Sequence, residues 1–363
     1  MSQKMNSSSI VSSHVEYEKQ KICTRCILPE SIPGIKFDAN GVCNFCLNYD
    51  EKEKHKGKED FEKLEARMIE VLREDPRKHP YDCICLYSGG KDSTYMLDQL
   101  VNKHKLRVLA FTFDNWFIPR ETYENINRVA AKAECDYINF RPSWKLNKSM
   151  FQMGFNETSR LEETKRLAYL IGHACWPCFV QIAMHSIKFA VDKNIPNIVV
   201  GTTPGQIRQK KLDLTSKFGD LADVYKSMVV PMLKLLKLTK QKETLQALDM
   251  PFWSKLKVLR LKLIPFYENV HYNEEHVIKI VEEKFGWRRP GNVDSCSSNC
   301  QLNSLGIEVH KNNYGISPYV IPLARDVREG LVKREDALKT VGGKLNANLV
   351  NHIADKFDVE LGV

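Results

Sequence analysis

Ser88-Gly89-Gly90-Lys91-Asp92-Ser93 follows the apolar run Cys83-Ile84-Cys85-Leu86-Tyr87 and precedes a helical pattern that begins near Thr94. A strand, a glycine turn and a helix N-terminus in that order make an anion site. Successive backbone N–H groups point into the turn, and the helix dipole adds positive potential there. The paired glycines let a phosphate approach the backbone closely. Lys91 adds a point charge, and Ser88 and Ser93 add hydroxyl donors. The spacing is not that of a Walker A loop, G-x-x-x-x-G-K-S/T, so the phosphate chemistry belongs to another class.

Outward from this loop the chain alternates strand and helix patterns, which predicts an α/β fold on a parallel sheet. A helix is expected over 94–103, a second strand over 107–113, a helix over 123–133 and a short third strand over 137–140. The second strand ends at Asp114. Polar residues at the carboxyl ends of neighbouring parallel strands border the crevice where ligands bind, so Asp114 is a candidate nucleotide contact. A later strand, Asn197-Ile-Val-Val200, ends in Gly201-Thr202-Thr203-Pro204-Gly205-Gln206, and Gly201 and Thr202 are candidates on the same grounds. Beyond Gly205 the periodicity is helical, with helices expected over 228–248, 274–285 and 332–340. No internal repeat and no GxGxxG fingerprint occurs.

The 363 residues are enough for a large core and more than one domain. No run of 18 uncharged apolar residues exists, so no membrane span is expected. The stretch 1–18 is Ser-rich without an apolar core, which predicts a disordered tail and a cytoplasmic protein. The net charge of +9, from 54 basic and 45 acidic residues, suits an anionic substrate without choosing one. Eleven cysteines without a secretory signal point to metal binding or chemistry in a reducing compartment, and away from a disulfide framework.

Two groups of cysteines stand out. Cys23-x2-Cys26-x16-Cys43-x2-Cys46 has the spacing of a four-thiolate zinc site, and the turn formers Pro29, Pro33 and Asp38-Ala39-Asn40-Gly41 between the pairs suit two knuckles. A segment this short builds no core of its own, so bound metal would supply its folding energy, and a closed set of four thiolates is structural or partner-binding, not catalytic. A zinc ribbon is therefore expected over 19–50, followed by an amphipathic connector over 51–78. The second group is Cys175-Trp176-Pro177-Cys178 at a predicted helix start, where the dipole would favour thiolate. Cys83, Cys85 and Cys135 lie in apolar contexts and read as small core residues.

The loop matches the SGGKDS signature of the PP-loop ATP pyrophosphatases, and so resembles enzymes of the adenine nucleotide alpha hydrolase-like fold. These cut ATP between the α and β phosphates and adenylate a carbonyl oxygen of the substrate. The resemblance implies ATP with Mg2+ as cofactor, phosphate contacts from Ser88 to Ser93, and Lys91, Asp92 and Ser93 as the catalytic set. Cys23 to Cys46, with Gly34-Ile-Lys-Phe-Asp38 and Gly41-Val-Cys-Asn-Phe-Cys46, Tyr81-Asp82 before the loop, and the late Arg328-Glu-Gly-Leu-Val-Lys-Arg-Glu-Asp-Ala337, look like the N-acetyl sugar amidotransferases of surface-polysaccharide (lipopolysaccharide) biosynthesis. That likeness implies a nucleotide sugar or sugar acid as acceptor and ammonia from a glutaminase partner. The Cys175/Cys178 pair before a strand ending in Gly-Thr is similar to the tRNA thiolation enzymes of the PP-loop group. There a third, distant cysteine, here Cys300 or else Cys296, completes a 4Fe-4S cluster or persulfide site, and the acceptor is tRNA or a small molecule. The domain order implied is an ATP-binding domain over 79–215 and a helical substrate or partner region over 216–363. A third reading is a nucleotide-sensing module without catalysis.

Overall fold

The computed structural model describes residues 17–49, 58–73, 79–202, 221, 224–297 and 299–361. Residues 1–16 of the expected tail and the Thr203–Gln206 turn lie outside the described residues.

At the centre is an all-parallel sheet of five strands: β1 (Cys83–Leu86), β2 (Val108–Phe113), β3 (Asp136–Phe140), β4 (Asn197–Val200) and β5 (Lys262–Pro265), in the order β3-β2-β1-β4-β5. The expected fold class is borne out. Both faces of β1 and β2 are buried, and their side chains sort by the two-residue period of a strand. Cys83, Cys85, Tyr87, Val108 and Ala110 enter the core on one face, while Ile84, Leu109, Phe111 and Phe113 enter the core on the other. The helix α1 (Lys58–Leu72) and the helices α2 (Lys91–Asp98) and α3 (Arg120–Ala133) supply the first face. A turn of π-helix, Gln99–Lys103, extends α2 to the length expected for that helix.

Helices α4 (Trp144–Asn156), α5 (Glu162–Ile171) and α6 (Cys175–Lys193) connect β3 to β4. The α6 helix is apolar on two sides: Ile187, Ala190 and Val191 pack on the sheet, while Trp176, Val180 and Met184 join a helical core with Met150 and Met153 of α4. Between β4 and β5 come α7 (Val230–Leu238), α8 (Lys242–Leu248) and α9 (Phe252–Val258). The single helix expected over 228–248 is thus broken, at Lys240, whose φ of 58° is left-handed. The strand β5 was not expected. The chain returns to the sheet at 262–265, inside the stretch read as helical, and then runs into α10 (Glu274–Phe285), which packs on α2.

The last four helices are α11 (Leu302–Tyr314), α12 (Val320–Glu329), α13 (Arg334–Val341) and α14 (Ala347–Phe357). Val350, Ile353, Ala354 and Phe357 of α14 pack with Leu302, Leu305 and Val309 of α11 and with Phe151 and Phe155 of α4. The cysteine-rich segment does not stand alone. Ile27, Leu28 and Ile32 share a core with Val320, Ala324, Ala337 and Val341 of the C-terminal helices and with Ile316 in the turn between α11 and α12. Among the described residues no single helix is long and apolar enough to cross a membrane.

Two histidines are enclosed where α6 begins and α11 runs past it. His173 and His310 lie 5.6 Å apart between ring centroids, and the His173 Nδ1 is 2.8 Å from the Gly154 carbonyl oxygen. Burial pushes His173 down to about 4, and burial together with His173 pushes His310 down to about 3. Both are therefore neutral in the folded chain, whereas the unfolded chain takes up protons below about pH 6.5. The sign follows: stability is full above that value and falls as the pH drops toward 4, by about 1.4 kcal/mol per pH unit for each histidine. The denaturant midpoint is expected to fall between pH 7 and pH 5, less steeply in His310→Gln. An unchanged slope in that variant would contradict the assignment.

Candidate active site

The loop sits where the strand order reverses. β1 pairs with β2 on one side and with β4 on the other, so the carboxyl ends of β1 and β4 open on the crevice that parallel sheets use for ligands. Gly90 caps α2, and Lys91 and Asp92 occupy its first turn. The serines pre-form the turn: Ser93 Oγ lies 3.1 Å from Ser88 Oγ, accepts from the Ser88 N–H at 3.2 Å, and donates to the Gly90 carbonyl at 3.1 Å.

Outside the loop, four side chains complete it. Trp287 Nε1 donates to the Gly89 carbonyl at 2.9 Å and Asn299 Nδ2 to the Ser88 carbonyl at 3.2 Å. Tyr267 and Tyr272 donate to the backbone carbonyl and carboxylate of Asp92, at 2.7 and 2.9 Å. The Lys91 ammonium lies 2.8 Å from Asp92 Oδ2 and 3.2 Å from Glu274 Oε1, at the start of α10. Burial works against the Lys91 charge, but the Asp92 and Glu274 carboxylates outweigh it and hold its pKa above the ordinary value. Lys91 is thus a fixed cation at the mouth of an anion turn.

Gly89 has φ +78°, and a Cβ built there would lie 2.5 Å from Ile126 Cγ1 and 2.9 Å from Thr122 Cγ2. Left-handed backbone alone costs a non-glycine residue about 1–2 kcal/mol. Gly89→Ala is therefore expected to lower the melting temperature and, where the turn shifts to relieve the clash, to weaken binding of a nucleotide phosphate there by about tenfold, since about 1.4 kcal/mol is tenfold. Calorimetric titration with ATP checks this, and wild-type affinity would show that the turn tolerates a side chain.

A single cavity of about 1200 Å³ runs from the loop across the ends of β1 and β4. Ser88, Gly90, Lys91, Asp92 and Ser93 line it, together with Gly201 and Thr202. Asp114 does not. Its carboxylate is buried and held by the Arg141 guanidinium at 2.6 Å, the Trp116 N–H at 2.8 Å and the Tyr123 hydroxyl. The neighbouring Asn115 reaches the cavity instead.

Cys175, Cys178, Cys296 and Cys300 all line the same cavity, and Asn115 Nδ2 lies 3.1 Å from Cys300 Sγ. The helix dipole does not make thiolates of them. Burial outweighs it, pushing Cys175 up to about 12 and Cys178 and Cys300 up as well. Free thiols here are protonated. Among the described residues only the ribbon cysteines bring their ligand atoms within 4.8 Å of one another. Cys175, Cys178 and Cys300 are too spread for one ion, whereas a cluster with its own sulfide framework spans a wider site.

The ribbon set fits a tetrahedral ion. Cys23 Sγ is 3.9 Å from Cys46 Sγ, and Cys26 Sγ is 3.8 Å from Cys43 Sγ. Four thiolates about 2.3 Å from zinc have sulfurs about 3.8 Å apart. Backbone N–H groups of Cys26 and Cys43 point at Cys23 Sγ, at 3.4 and 3.2 Å, and the Leu28 N–H points at Cys26 Sγ at 3.5 Å, which suits sulfur carrying negative charge. Hydrogen bonding with Cys46 pulls the Cys26 thiol down to about 5. Arg334, opening α13, donates to the Cys26 and Cys23 carbonyls at 2.9 and 3.0 Å and so ties the knuckle to the C-terminal helices.

No family model matches the chain. An uncharacterized protein of Methanocaldococcus jannaschii is 22% identical over 326 residues, spanning 88% of this chain and 92% of that protein. Solved structures are similar at low scores, among them the following three. NMN synthetase from Francisella tularensis has a TM-score of 0.36 at 10% identity, over 84% of this chain and 98% of that one. U34-tRNA thiolase NcsA from Methanococcus maripaludis with its 4Fe-4S cluster has 0.33 at 15%, over 95% and 98%. NH3-dependent NAD synthetase from Campylobacter jejuni in complex with the nitrate ion has 0.31 at 15%, over 82% and 94%. Likenesses this distant transfer no activity.

Sequence reasoning missed Tyr267, Tyr272, Glu274, Trp287 and Asn299, all of which touch the loop. They lie more than 170 residues downstream and reach it only because β5 joins the sheet beside β4. The weak signal was Leu263-Ile264-Pro265-Phe266-Tyr267, an apolar run directly after a lysine-rich segment.

Proposed function

We propose that the chain is an ATP pyrophosphatase that adenylates a carbonyl oxygen of its acceptor, releases pyrophosphate, and lets a nucleophile displace AMP. The observation that carries this reading is the single cavity that joins the anion turn at Ser88 to Ser93 with room for a second substrate beyond Gly201 and Thr202. Adenylation makes a poor leaving oxygen a good one, which is the difficulty in replacing an amide oxygen. Lys91 stabilises charge developing on the phosphates, and the turn's N–H groups do the same without reorganising. Asp92 is the carboxylate placed to hold Mg2+, which would screen the phosphates.

The acceptor that best suits the two-ended resemblance in sequence is an N-acetyl sugar nucleotide, with its acetamido oxygen adenylated and replaced by nitrogen. No glutaminase signature occurs in this chain, so ammonia comes from a partner. A second reading, sulfur transfer to tRNA or a small molecule, is favoured by the cysteines lining the cavity. Those residues would hold a cluster through Cys175, Cys178 and Cys300, and the cluster would supply sulfide binding. Anaerobic purification separates the two. Colourless protein that consumes ATP with free ammonia and UDP-N-acetylglucosamine is the expected result. A brown protein whose visible absorbance is lost in Cys175→Ala and Cys300→Ala would overturn amidation. Acceptor-dependent pyrophosphate release would exclude a nucleotide-sensing role.

A further inference from the structure

The cavity has a second carboxylate wall, formed by α12. Asp326 lines it, near enough to Tyr272 and Glu274, which meet Lys91, for their charges to interact. Its carboxylate has no hydrogen bond or ion pair among the described residues, and Oδ1 is buried. Of the two arginines beside it on the helix, Arg325 Nε bonds Glu329 Oε1 at 2.6 Å, and Arg328, whose Nη1 is also buried without a partner, makes no bond to Asp326. A buried acceptor without a donor costs stability, on the order of 1–3 kcal/mol, and such a cost points to a use.

The other acidic groups on the cavity wall are paired or hold their protons. Asp92 and Glu274 are bonded to Lys91, Asp336 pairs with the exposed Lys339 at 3.7 Å, and burial pushes Tyr272, Tyr319 and the cysteine thiols upward. Lys91 stays protonated. Among the described carboxylates that line the cavity, Asp326 is the one with no hydrogen bond or ion pair.

We propose that Asp326 is the catalytic base of the second half-reaction, accepting a proton from the incoming nitrogen nucleophile. This rests on the adenylation reading above. Adenylation leaves a cationic O-adenylyl amide and pyrophosphate. Ammonia then forms a bond to the acetamido carbon, giving a tetrahedral ammonium adduct. The Asp326 carboxylate takes one N–H proton from that adduct. The carbon–oxygen bond to AMP breaks, its electron pair leaves with AMP, and an amidinium product remains. The environment suits the task. Burial, with Glu329 beside it, pushes Asp326 up to about 7, against the opposing pull of Arg325 and with Glu274 and Arg328 also facing it. A base poised near the working pH is the efficient one.

The test is a rapid-quench experiment on the full chain with ATP labelled at the α- and γ-phosphates, UDP-N-acetylglucosamine and ammonium chloride. In Asp326→Asn, ATP binding and the first turnover of pyrophosphate are expected to match the wild type. Later turnovers should slow about 10²–10⁴-fold, with the adenylylated sugar recovered on quenching. Asp326→Glu should regain part of the displacement rate, and the ionisation near neutral pH seen in wild-type displacement should vanish in the asparagine variant. Wild-type steady-state turnover by Asp326→Asn, or loss of its ATP binding, would overturn the role of Asp326 and leave adenylation standing. Wild-type protein that releases no pyrophosphate would overturn both.

Discussion

Lys91→Ala is expected to lower acceptor-dependent pyrophosphate release by about 10²–10³-fold, the loss typical of removing one preorganised donor from a developing negative charge. The geometry explains why the loss should fall on the rate. Lys91 is held by Asp92, Glu274 and the Tyr272 hydroxyl, at 2.8, 3.2 and 3.2 Å, so its ammonium is already fixed at the cavity wall before substrate arrives. The turn's own N–H groups remain in the variant, and ATP affinity should weaken less than turnover. Removing the cation also leaves two carboxylates facing each other, which Lys91→Arg would avoid while misplacing the point charge. Turnover by Lys91→Ala at the wild-type rate with acceptor present would place the chemistry elsewhere.

The second large effect is expected from the ribbon. One equivalent of zinc should co-purify with the chain, and its removal by a chelator should unfold the cysteine segment. Structural zinc is worth on the order of 10 kcal/mol or more, comparable with the whole stability of a domain. The consequence reaches farther than a tethered knuckle would allow. Arg334 bonds the Cys23 and Cys26 carbonyls, and Ile27, Leu28 and Ile32 pack with Val320 and Ala324 of α12, the helix whose Leu323 and Asp326 line the cavity. Zinc loss should therefore abolish acceptor-dependent turnover while ATP binding at the loop survives. Metal analysis finding no zinc in protein purified without chelator, or full activity after zinc removal, would contradict this.

Local physics made the loop and the ribbon legible. The hexapeptide carries its own turn, cap and charge, and the four cysteines carry their own ligand spacing, so both could be read without knowing what packs against them. Three other features depended on tertiary context. Asp114 reads as a crevice residue because it ends β2, but the choice between Asp114 and Asn115 turns on Arg141 and Tyr123, which meet the former from elsewhere. The dipole at the start of α6 argues for thiolates, yet the enclosure that raises Cys175 and Cys178 comes from helices distant in the chain. β5 is four residues long after the lysine-bearing α9, and its pairing with β4 gives it a strand's environment that its sequence only weakly advertises. Periodicity records which face a segment buries; it does not record against what.

The central claim, that ATP is spent on adenylating a carbonyl oxygen, is tested most directly by isotope transfer. UDP-N-acetylglucosamine carrying 18O in its acetamido group is turned over with ATP and ammonia, and the AMP is examined by mass spectrometry. One 18O atom per AMP, with unlabelled pyrophosphate, is the predicted result. AMP without label, or label appearing in inorganic phosphate beside ADP, would contradict it.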